Sequence, residues 1–220
     1  MSGGLFPEQP IAAGSPVGLG AAIAGGKSRL STTDRVGNDY YPTPPAVTRA
    51  LIAREIHSMR AAADGGPIWE PCGRGGAICA VLRDAGFEVV ATDLVADPGH
   101  GVQQADLLMV RRALSSVVVT NPPFALGEAM IRHLLIDLRV EWCALLLKAT
   151  YWHARERTRL FRQMRPARIY ALNWRPDFLD RGAPTMDVVW VVWDRSCKGL
   201  GTQYDVLEPA RTAGLFDAPP

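Results

Sequence analysis

The chain has 220 residues, 48% of them hydrophobic, with 24 basic against 22 acidic side chains. That length and apolar share support one domain with a full core, and a formal charge of +2 excludes a protein that coats nucleic acid by net charge alone while leaving room for a local basic face. No apolar run approaches the length of a membrane span and the first ten residues lack a signal peptide's basic start and apolar centre, so the expected location is cytoplasmic.

Residues 1 to 38 are rich in Gly, Ala, Pro and Ser with no sustained period and are expected to form a flexible tail. Within them Ala21 to Ser28 ends in Gly-Gly-Lys-Ser and imitates a phosphate-binding P-loop. Ala21 stands where its first glycine belongs and no strand precedes it, so no nucleoside triphosphate site is expected. Ordered sequence is expected from Asp39 to about residue 200, with 201–220 as a C-terminal tail. Tyr40-Tyr41-Pro42-Thr43-Pro44-Pro45 reads as a stiff turn, and Thr48 to Met59 as an amphipathic helix with Val47, Leu51, Ile52 and Ile56 on one face.

Ile68-Trp69-Glu70 then reads as a short strand, with Pro71, Cys72 and glycines 73, 75 and 76 as the bend into a helix over Ala77 to Ala85. Such a bend lets a ligand approach the backbone closely, and the helix start offers free N–H groups to an anion. A second strand, Phe87 to Thr92, runs into Asp93 on the usual spacing for a carboxylate that grips ribose hydroxyls. A third, Val102 to Ala105, runs into Asp106. Three strands each finish in an acid, which is more than packing requires.

Val117-Val118-Val119-Thr120 reads as a strand buried on both faces, stopped by Asn121-Pro122-Pro123-Phe124. The prolines lack N–H groups and fix φ, so the backbone is held in one extended shape at the strand's carboxyl end. The Asn121 side-chain carbonyl and the Pro122 backbone carbonyl are two acceptors for the hydrogens of one amino group. An exocyclic amine on a heteroaromatic ring is a poor nucleophile because its lone pair is delocalised. Two acceptors favour a pyramidal nitrogen with that pair free, and Phe124 offers a face on which the ring stacks. The plainer reading of the same tetrapeptide is a strand ended by a proline turn.

Leu126 to Leu138 reads as a helix in which His133 is a packing or surface residue, Trp142 to Leu147 as a buried strand, and residues 167–172 and 188–193 as an antiparallel pair at the sheet edge. Between them Arg155, Arg157, Arg159, Arg162, Arg165 and Arg168 face a single acid, Glu156, with Arg155, Arg159 and Arg162 on one helical face and Trp152 and Trp174 flanking the run. Cations beside aromatics suit a nucleic-acid backbone and an extruded base, although a solvated arginine face has the same appearance. Cys72, Cys79, Cys143 and Cys197 form no CxxC pair and meet no histidines at zinc spacing, so reduced thiols and no metal are expected.

Tyr41-Pro42-Thr43-Pro44, Trp69-Glu70-Pro71 with its glycine bend, Asp93, Asp106 and Asn121-Pro122-Pro123-Phe124, in that order, resemble the S-adenosylmethionine-dependent DNA adenine-N6 methyltransferases, most of all the small phage and prophage type. Arg175-Pro176 with Phe178, and the apolar strand from Asp187 to Arg195, extend the resemblance to residues 39–195. It implies an α/β Rossmann-like, seven-stranded class I methyltransferase fold, mainly parallel with one antiparallel edge strand. It also implies S-adenosylmethionine as cofactor and DNA with a flipped base as partner, with no membrane and no covalent enzyme intermediate. By the same resemblance Tyr41 and Thr43 close over the cofactor's methionine end, Glu70, Pro71, Cys72, Gly73 and Gly76 hold its amino and carboxyl groups, and Asp93 with Leu94 holds the ribose. Asp106 and Leu107 take its adenine, Asn121 through Phe124 hold the target base, and Trp152, Arg155, Arg159, Trp174, Arg175 and Phe178 are candidates for the substrate side.

One position departs from the family pattern: Arg74 stands where a glycine is usual, so either the bend shifts by a residue or an arginine lines the pocket. The same tetrapeptide chemistry serves adenine in RNA or a glutamine amide in protein, and a fold kept for binding without turnover is the reading from a different class.

Overall fold

Pro45 at the first helical position supplies a pre-set φ, and helix α1 (Pro45–Ala63) starts there, three residues earlier than the hydrophobic period indicates. It stops at Asp64, whose left-handed backbone lets its N–H bond the Arg60 carbonyl. The computed structural model describes residues 41–180, 182, 184, 186–197 and 199–210. The expected N-terminal tail, the P-loop-like stretch and Tyr40 lie outside the described residues.

Eight strands follow: β1 (Ile68–Glu70), β2 (Val89–Asp93), β3 (Val102–Gln104), β4 (Val117–Thr120), β5 (Trp142–Lys148), β6 (Arg168–Leu172), β7 (Val188–Asp194) and β8 (Gln203–Leu207). Among the described residues four α-helices join or precede them: α1, α2 (Ala77–Asp84), α3 (Gly127–Arg132) and α4 (Arg157–Gln163). The strands form one sheet in the order β3-β2-β1-β4-β5-β7-β6-β8, in which only β7 runs antiparallel to its neighbours. This is the expected α/β Rossmann-like class, with two differences. The antiparallel strand is interior, between β5 and β6, and an eighth strand pairs with β6 from residues assigned to the C-terminal tail. The sequence hides β8 because four of its five residues are exposed, as an edge strand allows.

Both sheet faces are covered. Ile68, Val117, Val119, Ala144, Leu146 and Trp190 pack with α1 and α2, while Trp69, Val118, Cys143, Leu145, Leu147 and Val191 pack with α3 and α4. Consecutive valines 117–119 are therefore all buried, two on one face and one on the other. The predicted helix over 126–138 is divided: a 3-10 turn (Phe124–Leu126), α3, then a π-helical turn (His133–Asp137). His133 opens that turn and faces Asp137 Oδ2 at 2.8 Å and the Val110 carbonyl at 2.9 Å, a structural role. Across the first face, Arg168 on β6 bridges Glu55 of α1 (2.6 Å) and Asp194 of β7 (2.7 Å).

Candidate active site

The order of the strands reverses between β1 and β4. In open α/β sheets ligands bind at such a switch point, outside the carboxyl ends of the strands. Glu70 is the last residue of β1 and Asn121 the first beyond β4, so they face each other across it. A hydrogen bond from Thr120 Oγ1 to Glu70 Oε1, 2.5 Å, closes the gap beneath. Asp93 ends β2 and Asp106 follows β3, placing the four groups at the same end of four contiguous parallel strands.

Glu70 is 1% exposed. Oε1 accepts from Thr120 and from the Cys72 backbone N–H (2.9 Å), while Oε2 is buried with no partner among the described residues. Burial pushes the carboxyl up to about 8 against the pull of those two bonds, and Asp93 adds to the rise. A buried carboxyl with one oxygen unsatisfied is costly unless a donor arrives, and an ammonium is the donor that suits it.

The bend beside it runs on Gly75 and Gly76, with φ of +76° and +65°, conformations that favour glycine. Both left-handed positions lie after Arg74 and are filled by glycine. The Arg74 and Val95 backbone N–H groups donate to Asp93 Oδ2 (3.2 Å) and Oδ1 (3.0 Å), which fixes the carboxylate at the loop's rim. Asp97 accepts from the Gly75 N–H (2.9 Å) and faces His100 Nδ1 (2.8 Å); the Gly75 bond and then His100 hold its carboxyl below the usual range. A Cβ built on Gly73 would stand 3.1 Å from Glu70 Cγ, so a larger residue there would make the acid or the loop give by a few tenths of an ångström.

Beyond β2, Leu94 follows Asp93 and is 59% exposed. Asp106 Oδ1 accepts from the Leu108 N–H (3.0 Å), which leaves its other oxygen for a ligand, and Leu107 is buried beneath.

Asn121 is half-buried. Its Nδ2 donates to Thr43 Oγ1 (3.1 Å) and to the Tyr41 carbonyl (3.5 Å). With the amide nitrogen engaged by the Tyr-Pro-Thr-Pro segment, the side-chain oxygen is the end left to accept from a substrate. Thr43 is 3% exposed, so this clasp lies under the surface. Pro122 is buried, Pro123 and Phe124 are half-exposed, and Lys148 Nζ stands 4.5 Å from the centre of the Phe124 ring. No motif in the sequence singles out Lys148. The available signal is that the chain holds three lysines among its 24 basic residues, and this one ends an otherwise apolar strand.

The substrate-side candidates divide. Trp152 and Trp174 line one cavity of about 340 Å³ together with Tyr204 and Asp187. Arg155 and Arg159 are exposed, but Arg155 lies in the turn before α4 and does not share its face. Arg175 pairs with Asp187 at 2.7 Å, with both side chains more than half exposed. Two arginines of the basic run are structural: Arg157 covers the Tyr151 ring and bonds its carbonyl, and Arg168 holds the buried acids. Phe178 is corrected: at 7% exposure it packs in the core with α1 and offers no stacking face. All four cysteines are free; burial pushes the thiols of Cys72, Cys79 and Cys143 up, which leaves none of these three as a ready nucleophile.

No protein-family model matches the sequence, and no curated protein matches it. Solved structures do. A proposed RNA methyltransferase from Pyrococcus horikoshii aligns at TM-score 0.52 and 13% identity over 79% of this chain and 94% of that one. A chain of a type I restriction-modification system aligns at 0.50 and 14% over 74% of this chain, and the modification subunit of a proposed type I restriction enzyme from Vibrio vulnificus YJ016 at 0.47 and 15% over 79%. This chain spans 44% and 48% of those last two. The likeness shows a fold shared with methyltransferases. Among the described residues no helix is long and apolar enough to cross a membrane.

Proposed function

We propose that the protein transfers a methyl group from S-adenosylmethionine to the exocyclic amino nitrogen of adenine in DNA. The observation that carries this reading is the fixed Asn121 amide. Its nitrogen is tied to Thr43 and Tyr41, which leaves its oxygen to accept, and Asn121 follows β4 at the switch point where Glu70 ends β1.

The residues present fit the cofactor on chemical grounds. Glu70 Oε2 lacks the donor that a methionine ammonium supplies. Gly73 keeps the loop close to that acid, Asp93 is held at the rim for ribose hydroxyls, and Asp106 with exposed Leu94 suits an adenine ring. Bound there, the cofactor supplies an electrophilic methyl on a sulfonium. The chain's part is to shape the acceptor: the Asn121 side-chain oxygen and the Pro122 carbonyl accept hydrogen bonds from the two amine hydrogens, localising the nitrogen lone pair, and one of those protons passes to solvent as the methyl moves to nitrogen. Phe124, steadied by Lys148, stacks the base and offsets part of the few kcal/mol spent in unstacking it.

Transfer of labelled methyl to DNA, RNA and protein tests the assignment directly. DNA adenine is the expected acceptor. Label in RNA adenine or in a glutamine amide instead would move the substrate class, and no cofactor binding in calorimetry would replace the enzyme by a binding module. Asn121→Ala is expected to abolish transfer while cofactor binding persists; full activity in that variant would sink the scheme.

A further inference from the structure

The cavity lined by Trp152 and Trp174 lies apart from Asn121, at the same end of the sheet, where β5 and β6 finish and β7 begins. β5, β7 and β6 are the next three strands beyond β4, so at 4.7–4.9 Å per strand the cavity floor on β7 and β6 sits roughly 10–15 Å from Asn121 along the sheet end. Stacked nucleotides on one strand are about 3.4 Å apart, so a single strand seated at Asn121 reaches it in about three to four residues.

The floor is apolar, made by Ile169, Ala171 and Val189, and the walls are aromatic. Trp152 is a rigid wall: its indole meets Tyr151 edge-on at 4.9 Å and Phe161 at 5.0 Å. Its Nε1–H is buried with no acceptor among the described residues, and a nucleobase edge carries ring nitrogens and carbonyls that supply one. Tyr204 of β8, 67% exposed, gives a second ring. Asp187 is the charged side chain of the lining, and Arg175 and Arg155 stand near the cavity. Arg155 is exposed two residues beyond His153, which lines the cavity, and Arg175 is held at its mouth by a solvent-exposed pairing with Asp187 that a phosphate can exchange. At about 340 Å³ the space is of small-ligand size. Aromatic walls with cations nearby are the arrangement that holds unpaired nucleotides.

We propose that this cavity takes a second, unpaired nucleobase of the strand that carries the target adenine. The proposal rests on the reading above for which strand is bound, and it makes a single-stranded or locally opened substrate the natural one. The test is an abasic scan. Affinities of short labelled single strands, in DNA and in RNA, are measured by anisotropy with an abasic residue at each position around one adenine. One position other than the adenine is expected to weaken binding about tenfold. That penalty is expected to fall below about twofold in Trp174→Ala and in Tyr204→Ala, where the base has lost a stacking wall. Tyr204→Ala keeps the outcome decisive if Trp174→Ala fails to fold, since Tyr204 is mostly exposed. A scan with no non-target position standing out overturns the proposal, as does a penalty that persists in the folded variants. Asn121→Ala separates the two readings: it is expected to lose transfer yet keep the non-target penalty. If wild type methylates no nucleic acid but shows that penalty, the adenine reading falls and the cavity assignment stands.

Discussion

Asn121 owes its orientation to Thr43, a residue 78 positions upstream, and this is a contact whose removal can be read in kinetics. Thr43→Val keeps the shape of a side chain 3% exposed but takes away the oxygen that receives Nδ2. The amide is then free to turn its nitrogen outward, where it repels the amine it should accept from. We expect kcat to fall on the order of 100-fold with cofactor affinity little changed, and Thr43→Ser to restore most of the rate. Equal rates in the Val and Ser variants would remove Thr43 from the positioning role. Glu70 gives a prediction in pH. Its carboxyl rises from 4.5 to about 8 on folding, so the folded state holds a proton the unfolded chain has lost, and its contribution to stability declines as pH climbs from 4.5 to 8. Urea titrations should show that decline in wild type and its loss in Glu70→Gln. An ammonium seated on Glu70 favours the ionised form, so cofactor binding near neutral pH should release a proton, seen as a binding enthalpy that changes with the buffer's ionisation enthalpy. Glu70→Gln should release none, and equal enthalpies in all buffers for wild type would count against an ammonium at this acid.

At the scale of elements, the glycine bend and the loop after β2 act as one piece. His100 packs against Gly76, where a Cβ would stand 3.1 Å from the His100 side chain, and Asp97 ties Gly75 to His100. Gly76→Ala should therefore cost about 1–2 kcal/mol for a left-handed alanine and more for the contact with His100. His100→Ala in the same chain should return the contact part alone, measured by urea unfolding of the four proteins of the cycle. An unchanged midpoint in Gly76→Ala would mean that the bend relaxes. The reach of sequence reading follows the same division between local and distant. β1 and β2 were legible because an apolar run, a neighbouring glycine and a terminal acid lie within a few residues of each other, and β4 because three valines run into Asn121 and two prolines; the switch point they frame depends on long-range pairing. The Asn121–Thr43 bond, the Lys148–Phe124 contact and the shared cavity of Trp152 and Trp174 join segments far apart in the chain, so no periodicity announces them. Arg155 and Arg168 look alike in a basic run, yet one is exposed and the other is fixed between two acids.

For the whole molecule, the cluster of Glu55, Arg168 and Asp194 joins α1 to β6 and β7, and so joins the side of the domain that carries Thr43 to the side that carries the aromatic cavity. Glu55 is 4% exposed, and it also accepts from Tyr170 Oη and Ser58 Oγ. Burial alone would push the Asp194 carboxyl up, but the Ser196 and Arg168 hydrogen bonds outweigh it and hold it below the usual range. Removing the cation by Arg168→Met keeps the length of the apolar stem and leaves two buried carboxylates facing each other. That should cost about 3–5 kcal/mol at neutral pH. The sign of the pH effect separates lost charge from lost packing. In wild type the depressed carboxyl of Asp194 contributes stability above its unfolded value of 3.8, lost only as pH falls through its lower folded value. In the variant the unpaired acids gain by taking up protons, so its stability should rise as pH falls from about 7 toward about 5, where wild type is little affected by this group. The difference between the two proteins in urea unfolding should therefore shrink on acidification. A difference that stays constant over that range would assign the loss to packing of the arginine stem and not to the charge it carries.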